Sequence, residues 1–511
     1  MLRLTYDHNG TSHGDLRLQF GRFSRVGDSY YLALDPGIRP GDESPEKVRL
    51  VLEQLLEQWI ERLKLLVEGE TVYLPFEFTD EYTGWLRCRM EGTDTLIDVG
   101  WSMLPGYSVK PTEFHLHPYK VTDFDPIPDA GELRIPYAEL IEAVEANRKD
   151  ILDLHPPPVD PTPIFEHYRG SYGSELLTAA VAHLNVFGLL RHEPRDFESL
   201  RNALGLQRRP AIVLLTALRA MGLIRLDSQE RLGLTPQARY HLPPGSAFDI
   251  GDYIGLSATA PGVLEMVERL RTNRPRETTG STGGGTAFIY RDGTASAMES
   301  QELARHFTLS LAGRAKNVAP VLAEVVPLAG AKTLLDLGGG TGIYSIAFLK
   351  RNPGLTATVY DRPEVLRVAE EFRERYAVED RLDLVAGDMF ADEFPKADVI
   401  LLSNILHDWD EPECQTLISK CAAALKPGGR LLIHDVFLHD ALDGPLPIAL
   451  YSAALFTLTE GRAYSVAEYR QWLEAAGLTV TGPTPTLVHC GVQEAVAQRA
   501  DTWSIGGSTL A

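Results

Sequence analysis

The most constraining feature of this sequence is a strict alternation of short apolar segments and amphipathic segments that begins near residue 332. The strand-like segments are TLLDLGGG, TATVYD, LDLVAGDMF, ADVILLSNIL and RLLIHDVF, and TGIYSIAFLKR, PEVLRVAEEFRERY and CQTLISKCAAALK are helix-like. This alternation predicts an α/β fold in which a mostly parallel sheet is covered by helices on both faces. Because ligands of such sheets bind at the carboxyl ends of the strands, we expect the functional site at that edge.

The turn after the first strand, LLDLGGGTG, is rich in glycine. Gly338 and Gly340 allow the backbone to turn tightly and to approach a ligand where a Cβ atom would clash. Asp361 ends the second strand, where a carboxylate can accept hydrogen bonds from ribose hydroxyls. These features predict a nucleotide-like ligand, and by themselves they also fit NAD.

The third strand ends in GDMF, where Asp388 can bond an adenine amino group and Met389 can pack on the ring. Dehydrogenases do not require this arrangement. With HDW after the fourth strand and LKPGGRLLI following it, these motifs resemble class I methyltransferases of the plant-type small-molecule O-methyltransferase family, including its bacterial natural-product branch. The resemblance extends over roughly residues 163–511 and implies a Rossmann-like catalytic domain.

The same resemblance implies S-adenosylmethionine as the cofactor and S-adenosylhomocysteine as the product. The cofactor contacts that it implies are Gly338, Gly340, Asp361, Asp388, Met389, Ser403, Phe307 and Arg314. The candidate residues of the acceptor pocket are Met298, Tyr451 and Phe456, of which the last two lie in the long apolar segment PLPIALYSAALFTL. Core packing is the alternative for the pocket residues, and a place on a helix surface is the alternative for Arg314.

We predict methyl transfer to a hydroxyl or carboxyl oxygen of a natural-product or modified-peptide acceptor. This reaction needs a group that removes the proton of the acceptor, and histidine is suited to it because its ordinary pKa is about 6.5. His407 in ILHDWDEPEC matches the base position of the family, and Asp435 in RLLIHDVF matches an acidic residue that orients the base. The second acidic position of the family corresponds to Ala463 in TEGRAYS. We therefore consider Glu460, three residues earlier, as a substitute.

The missing acid leaves other reactions open. One alternative is C-methylation of an α-keto acid, in a metal-assisted form that would draw on His407, Asp408, His434, Asp435 and His439, although we predict no metal. A second alternative is decarboxylation or hydroxylation on the methyltransferase fold. A third, a winged-helix transcriptional regulator, would need a basic recognition helix, and ALRAMGLIRL is too apolar for that role.

Four parts are predicted along the chain. Residues 1–151 form a small α+β domain, 163–255 a helical, winged-helix-like dimerisation domain with a terminal hairpin, 256–319 a helical linker that contributes to the site, and 320–511 the catalytic domain. The first boundary lies in LDLHPPPVDPTPIF, whose five prolines deny helix. In the first part DLRLQF, YYLALD, TVYLPFEF and TLIDVGW are predicted strands, and residues 44–66 a helix with a serine N-cap. The glycine-rich residues 277–286 are predicted to form a loop.

The formal net charge of −21 argues against nucleic acid as a partner, because phosphate binding needs a concentrated basic face. Residues 1–150 contain 27 acidic and 16 basic residues, and we predict that this domain recruits a carrier protein or a peptide substrate, with a purely structural role as the alternative. The apolar runs are too short for a membrane helix and the first residues lack a signal-peptide core, which predicts a cytoplasmic protein. The expected partners are a small-molecule or peptide acceptor and a second copy of the chain.

Overall fold

The computed structural model describes residues 2–38, 44–116, 119–128, 130–157, 159–246, 248–274 and 301–498. The chain divides into two compact units, Met1–Val159 and Asp160–Ala511. The division falls inside the proline-rich segment, and the three C-terminal parts distinguished in the sequence lie together in the second unit. Met298 and the glycine-rich residues 277–286 lie outside the described residues.

The first unit combines two antiparallel sheets with helices. Its elements are β1 (Leu2–Tyr6), β2 (Leu16–Phe20), β3 (Phe23–Gly27), α1 (Tyr30–Ala33), α2 (Pro45–Leu63), β4 (Thr71–Phe78), β5 (Thr83–Glu91), β6 (Asp94–Ser102), β7 (Asp125–Pro126), β8 (Glu132–Pro136) and α3 (Tyr137–Leu152). One sheet has the order β1-β2-β3, and in the other β4, β5 and β6 follow one another while β7 and β8 both pair with β6. The predicted helix at residues 44–66 is α2, and the Ser44 hydroxyl caps it by accepting a hydrogen bond from the Lys47 amide at 3.2 Å.

One predicted strand of this unit is wrong. The segment YYLALD forms the short helix α1 and the turn after it. The adjacent residues Leu32 and Ala33 of this segment are both buried. A strand with one face toward the core cannot bury both, because successive side chains of a strand point to opposite faces. A short apolar run carries too little periodicity to separate a strand from a helix.

The second unit begins with helices. They are α4 (Thr162–Arg169), α5 (Ser171–Thr178), α6 (Val186–Leu189), α7 (Phe197–Leu204), α8 (Arg208–Ala220), α9 (Pro236–His241), α10 (Gly251–Gly255), α11 (Pro261–Thr272) and α12 (Gln301–Val325), with a π-helical turn at Ala179–His183. The antiparallel strands β9 (Ile224–Leu226) and β10 (Leu232–Leu234) form a hairpin between α8 and α9, in the segment where the sequence predicts one. No helix in the described ranges is long and apolar enough to cross a bilayer.

A large sheet follows these helices. Its elements are β11 (Thr333–Leu337), α13 (Ile343–Arg351), β12 (Thr356–Asp361), α14 (Pro363–Arg375), β13 (Leu382–Ala386), β14 (Ala397–Ser403), α15 (Glu411–Ala424), β15 (Leu425–Leu438), α16 (Leu446–Leu458), β16 (Tyr464–Ser465), α17 (Val466–Ala475), β17 (Leu478–Pro485) and β18 (Cys490–Ala497). The strand order is β13-β12-β11-β14-β15-β18-β17, and β16 pairs with β15. Neighbouring strands from β13 to β15 are parallel, whereas β18 is antiparallel to both β15 and β17.

The position of the site follows from this order. The chain moves from β11 outward to β12 and β13 and then returns to add β14 on the other side of β11. At such a switch point the connections leave the two central strands toward opposite faces, and a crevice opens at their carboxyl ends. The central strands are held by fully buried apolar side chains such as Leu335, Ile400 and Leu431. The loops after β11 and β14 therefore face each other across the crevice on a rigid base.

Candidate active site

The glycine turn after β11 lies against the loop after β14. Gly338 has a φ of +66°, and its amide donates a hydrogen bond to the Tyr360 carbonyl at 2.8 Å. A Cβ atom added to Gly338 would lie 2.4 Å from Cδ1 of Ile405 and 3.6 Å from Cε of Met389. The position therefore requires glycine, both for its positive φ and because the Ile405 side chain packs against it.

Asp361 closes the same turn from the end of β12. Its carboxylate accepts hydrogen bonds from the Gly340 amide at 2.9 Å and from the Arg362 amide at 2.7 Å. Burial raises the pKa of Asp361 above its ordinary value, against the lowering effect of these amides. Each carboxylate oxygen has a second lone pair for a further donor, such as a ribose hydroxyl. The residues present therefore fit an adenosine group.

The GDMF loop after β13 is fixed from two sides. The Asp388 carboxylate accepts a hydrogen bond from the Phe390 amide at 2.8 Å, and Nζ of Lys420 donates to the carbonyls of Met389 and Phe390 at 2.7 and 2.8 Å. Asp388 is exposed and Met389 is half-buried. The predicted adenine contacts thus lie on a loop that is held in place without a ligand.

His407 and Asp435 form a buried pair at the ends of neighbouring strands. Nδ1 of His407 lies 2.5 Å from a carboxylate oxygen of Asp435. The other oxygen of Asp435 accepts a hydrogen bond from the Tyr469 hydroxyl at 3.1 Å, and the Val436 amide donates to the first at 2.7 Å. With Nδ1 held by the carboxylate, Nε2 remains the nitrogen that can accept a proton.

Burial by itself lowers the pKa of His407, because a charged imidazolium loses its hydration there. The attraction of Asp435 and the hydrogen bond that Nδ1 of His407 donates to it outweigh this effect, so the pKa of His407 lies above its ordinary value. Asp435 therefore makes the imidazole a stronger base.

Replacement of Asp435 by asparagine tests this coupling through the pH dependence of turnover. A base must be neutral, so activity is lost as the pH falls through the pKa of His407. The acid limb of kcat/KM should lie above pH 6.5 in the wild type and should move to lower pH in Asp435→Asn, because the variant loses the largest effects that raise the pKa of His407 and keeps the lowering effects of burial and Arg314 against Asp408 alone. Asp443→Asn, which alters the exposed pair of Asp443 with His439, is the control. An acid limb that stays in place or moves upward in Asp435→Asn would contradict the coupling.

Asp408 is a second buried acid at the base. Its carboxylate lies 3.7 Å from Nε2 of His407, on the nitrogen that Asp435 leaves open. Burial raises the pKa of Asp408 to about 7, with His407 lowering it and Asp435 raising it. The sequence reasoning considered Asp408 only as a metal ligand and did not place it at the proton-accepting nitrogen.

The segment after α16 lies behind the base. Ala463 is fully buried and its amide donates to the Ser452 hydroxyl at 3.1 Å, so no acid stands at this position. Glu460 is partly exposed in the preceding turn, and its catalytic role stays a prediction. Gly461, which the sequence reasoning did not single out, lies so close that an added Cβ would be 2.1 Å from the His407 carbonyl oxygen.

The structure brings some of the remaining predicted residues to the base. The Tyr451 ring packs edge-on to the His407 imidazole with 5.8 Å between ring centroids. Arg314 donates to Oδ1 of Asn404 at 2.8 Å and to Sγ of Cys490 at 2.7 Å, and its Cζ lies 5.8 Å from the Tyr451 ring centroid. Arg314 thus lies in the crevice, and the surface alternative for it is wrong.

The other three predicted residues lie further from the base. Phe456 is buried and packs against the Arg209 guanidinium, 4.9 Å from its ring centroid. The Ser403 hydroxyl hydrogen-bonds Nδ1 of His434 at 2.8 Å, and Phe307 is half-buried on α12. The cofactor contacts of Ser403 and Phe307 stay predictions.

The residues of the metal alternative have other partners. Nε2 of His434 lies 3.1 Å from the Thr486 hydroxyl, and His439 is exposed beside Asp443. In the part of the chain that the structure describes, no three His, Cys, Asp or Glu side chains are grouped so that they could hold a metal ion.

A parallel sheet with a glycine turn after its first strand and a carboxylate at the end of its second is a Rossmann-like, nucleotide-binding arrangement, and a His-Asp pair stands at its switch point. Residues 276–479 match the family model of the O-methyltransferase domain. The 3-hydroxy-5-methyl-1-naphthoate 3-O-methyltransferase of Streptomyces sahachiroi is 34% identical over 320 residues, which are 62% of this chain and 89% of that protein. The chain belongs to this O-methyltransferase family.

Two further relatives of this chain are also O-methyltransferases. The tetracenomycin polyketide synthesis 8-O-methyl transferase of Streptomyces glaucescens is 30% identical over 332 residues, 63% of this chain and 94% of that protein. The crystal structure of an O-methyltransferase family 2 protein from Planctomyces limnophilus in complex with apigenin is 46% identical, covers 67% of this chain and 98% of that chain, and has a TM-score of 0.61. The protein is an S-adenosylmethionine-dependent O-methyltransferase.

Proposed function

We propose that this enzyme methylates a phenolic hydroxyl of an aromatic natural product, with His407 as the general base and Asp435 as its positioning residue. The observation that carries the proposal is the buried Tyr469–Asp435–His407 chain of hydrogen bonds, which lies at the same sheet edge as the glycine turn. Two relatives whose names state a reaction are O-methyltransferases, which favours methylation of oxygen over methylation of carbon.

In this mechanism the Gly338 turn, Asp361 and the GDMF loop would hold S-adenosylmethionine, which would supply an electrophilic methyl group. The acceptor hydroxyl donates its hydrogen to Nε2 of His407, and the imidazole takes the proton as the oxygen becomes nucleophilic. Asp435 keeps the proton on Nδ1 and stabilises the imidazolium that results. The buried position of the pair strengthens this electrostatic stabilisation, because the local dielectric constant is low.

An aromatic acceptor fits the wall of the site. The Tyr451 ring stands beside the base, and an aromatic wall favours flat aromatic ligands through stacked or edge-on contacts. The relatives support this choice, because one acts on a hydroxynaphthoate, one serves polyketide synthesis and one binds apigenin.

Calorimetric titration of the full chain is the first test of the proposal. We expect micromolar binding of S-adenosylmethionine and S-adenosylhomocysteine and no binding of NAD, followed by transfer of the methyl group to hydroxylated naphthalenes and flavones. Binding of NAD alone would overturn the assignment of Gly338 and Asp361. Binding of S-adenosylmethionine with transfer only to carbon or nitrogen acceptors would overturn the phenolic acceptor.

We also propose that the enzyme is a cytoplasmic homodimer joined through the winged-helix-like residues 163–255. Exposed apolar side chains in that region, among them Tyr168, Phe248 and Tyr253, support an interface there. The acidic N-terminal unit is proposed to recruit a carrier protein or peptide that bears the acceptor. Light scattering of the full chain tests whether it is a dimer. Equal kcat/KM for free and carrier-linked acceptors would contradict recruitment of a carrier by the N-terminal unit.

A further inference from the structure

Arg169 is a buried cation that no acidic side chain in the described part of the chain neutralises. It ends α4, and only 7% of its surface is exposed. The contacts of its guanidinium are with two aromatic rings, since Cζ lies 3.7 Å from the Tyr451 ring centroid and 5.5 Å from that of Phe165. Among the described residues no carboxylate lies within 4 Å of it. Burial lowers the pKa of Arg169, and so does the nearby Arg314 cation, against the raising effect of Tyr451.

The other buried arginines of the described chain show what such a group ordinarily requires. Arg462 is paired with Glu411 and Glu468, and Arg269 is paired with Glu265. Arg209 donates to the carbonyls of Thr459 and Gly461 at 2.9 and 3.1 Å. A buried charge without such partners is costly, because the lost hydration is not replaced. Arg169 is therefore the exception that calls for an explanation.

A second cation adds to the excess of positive charge. The hydrogen-bond partners of Arg314, Asn404 and Cys490, offer a neutral amide oxygen and a sulfur atom. Both guanidinium groups face the Tyr451 ring, and Tyr451 in turn contacts the base. The nearby Asp435 carboxylate is already engaged by His407, Val436 and Tyr469. Among the described residues, the acceptor side of the site thus carries two positive charges with no carboxylate paired to either.

The position of Arg169 is fixed by contacts between α4 and the loop before β18. The Thr162 hydroxyl accepts a hydrogen bond from the Val488 amide at 3.1 Å, and Nε2 of His489 lies 2.7 Å from the Glu166 carboxylate. These contacts hold the first residue and the middle of α4 against the loop before β18, and the Arg169 guanidinium at its end packs on the Tyr451 ring. The guanidinium is therefore preorganised and needs no rearrangement to receive an anion.

We propose that Arg169 binds a carboxylate of the acceptor, which makes the substrate class of this enzyme hydroxyaryl carboxylates. This inference rests on the proposed function, because it takes His407 as the base for the hydroxyl. Cζ of Arg169 lies 3.7 Å from the Tyr451 ring centroid, and the His407 imidazole centroid lies 5.8 Å from the same point. Cζ of Arg169 is therefore at most about 9.5 Å from the imidazole centroid. A one- or two-ring hydroxy acid can span that distance. Arginine suits this role because its planar fork binds a carboxylate with two parallel hydrogen bonds.

The test measures binding to the full chain saturated with S-adenosylhomocysteine, so that no turnover is needed. The probes are 3-hydroxy-1-naphthoate and 2-naphthol, which differ only in the carboxylate. The wild type should bind the acid at least tenfold more tightly than the naphthol, and Arg169→Met should weaken binding of the acid about 10- to 100-fold, as expected for a charge-assisted hydrogen-bonded pair. Binding of 2-naphthol by Arg169→Met should differ less than threefold from its binding by the wild type. Arg208→Met, at an exposed position of α8, is the matched control and should change neither value.

Two results would overturn the proposal. One is equal binding of the two probes by the wild type, which needs no variant and therefore holds even if Arg169→Met fails to fold. The other is weaker binding of S-adenosylhomocysteine in Arg169→Met with the preference for the acid retained, which would assign Arg169 to the cofactor's carboxylate. Arg169→Lys keeps the charge without the fork and should lose less affinity for the acid than Arg169→Met. Failure of the proposed function would instead appear in the separate assays of cofactor binding and methyl transfer.

Discussion

Replacement of His407 by alanine is expected to lower kcat for methyl transfer by about 10²- to 10⁴-fold, the range for removal of a positioned general base. The acceptor hydroxyl would then have to lose its proton to water. Binding of S-adenosylhomocysteine should change less than about threefold, because Gly338 and Asp361, the residues proposed to bind the cofactor, lie on other loops. Single-turnover measurements with saturating cofactor separate the chemical step from binding.

His439→Ala is the matched control for this variant. His439 comes directly after β15, the strand that contains Asp435, but its side chain is exposed and pairs with Asp443. It should retain wild-type turnover. If His407→Ala kept more than a tenth of the wild-type kcat with the cofactor bound, another group would be the base, and Asp408 would be the first candidate because of its 3.7 Å approach to Nε2 of His407.

Replacement of Gly461 by alanine is expected to lower kcat by about 100-fold without removing any group that takes part in the reaction. The added Cβ would lie 2.1 Å from the His407 carbonyl oxygen and 2.6 Å from the Trp409 amide nitrogen. Both are backbone atoms and cannot rotate away, so the loop that carries the base must shift. A displacement of about 1 Å can cost on the order of 100-fold in rate, and overpacking of this kind costs about 1–3 kcal/mol of stability.

Thermal unfolding and the pH dependence of kcat distinguish displacement of the base from loss of the fold. Gly461→Ala should unfold cooperatively at a lower Tm than the wild type and should still bind S-adenosylhomocysteine. Gly255→Ala is the control, because an added Cβ there meets no atom within 4 Å. Wild-type kcat in Gly461→Ala would show that the close packing behind His407 has no part in catalysis.

The cofactor half of the site could be predicted from the sequence because its elements are local. The strand, glycine turn and helix from Thr333 to Arg351 follow one another along the chain, and each is specified by its own periodicity and by residues that permit a positive φ. The helix at residues 44–66 was predictable in the same way from its spacing and its serine cap. The segment YYLALD was not, because a short apolar run has no distinctive period.

The sequence by itself thus determined the catalytic sheet, its cofactor turn and, through family resemblance, the pair of His407 and Asp435. Only the tertiary structure decided the surroundings of that pair. Arg169 is nearly 300 residues from Tyr451, and Gly461 is more than 50 residues from His407, yet each pair is in direct contact. No local pattern records such contacts, because they arise when helices and loops from distant parts of the chain pack on one sheet edge. The charge balance and the close packing of the site depend on these long-range contacts.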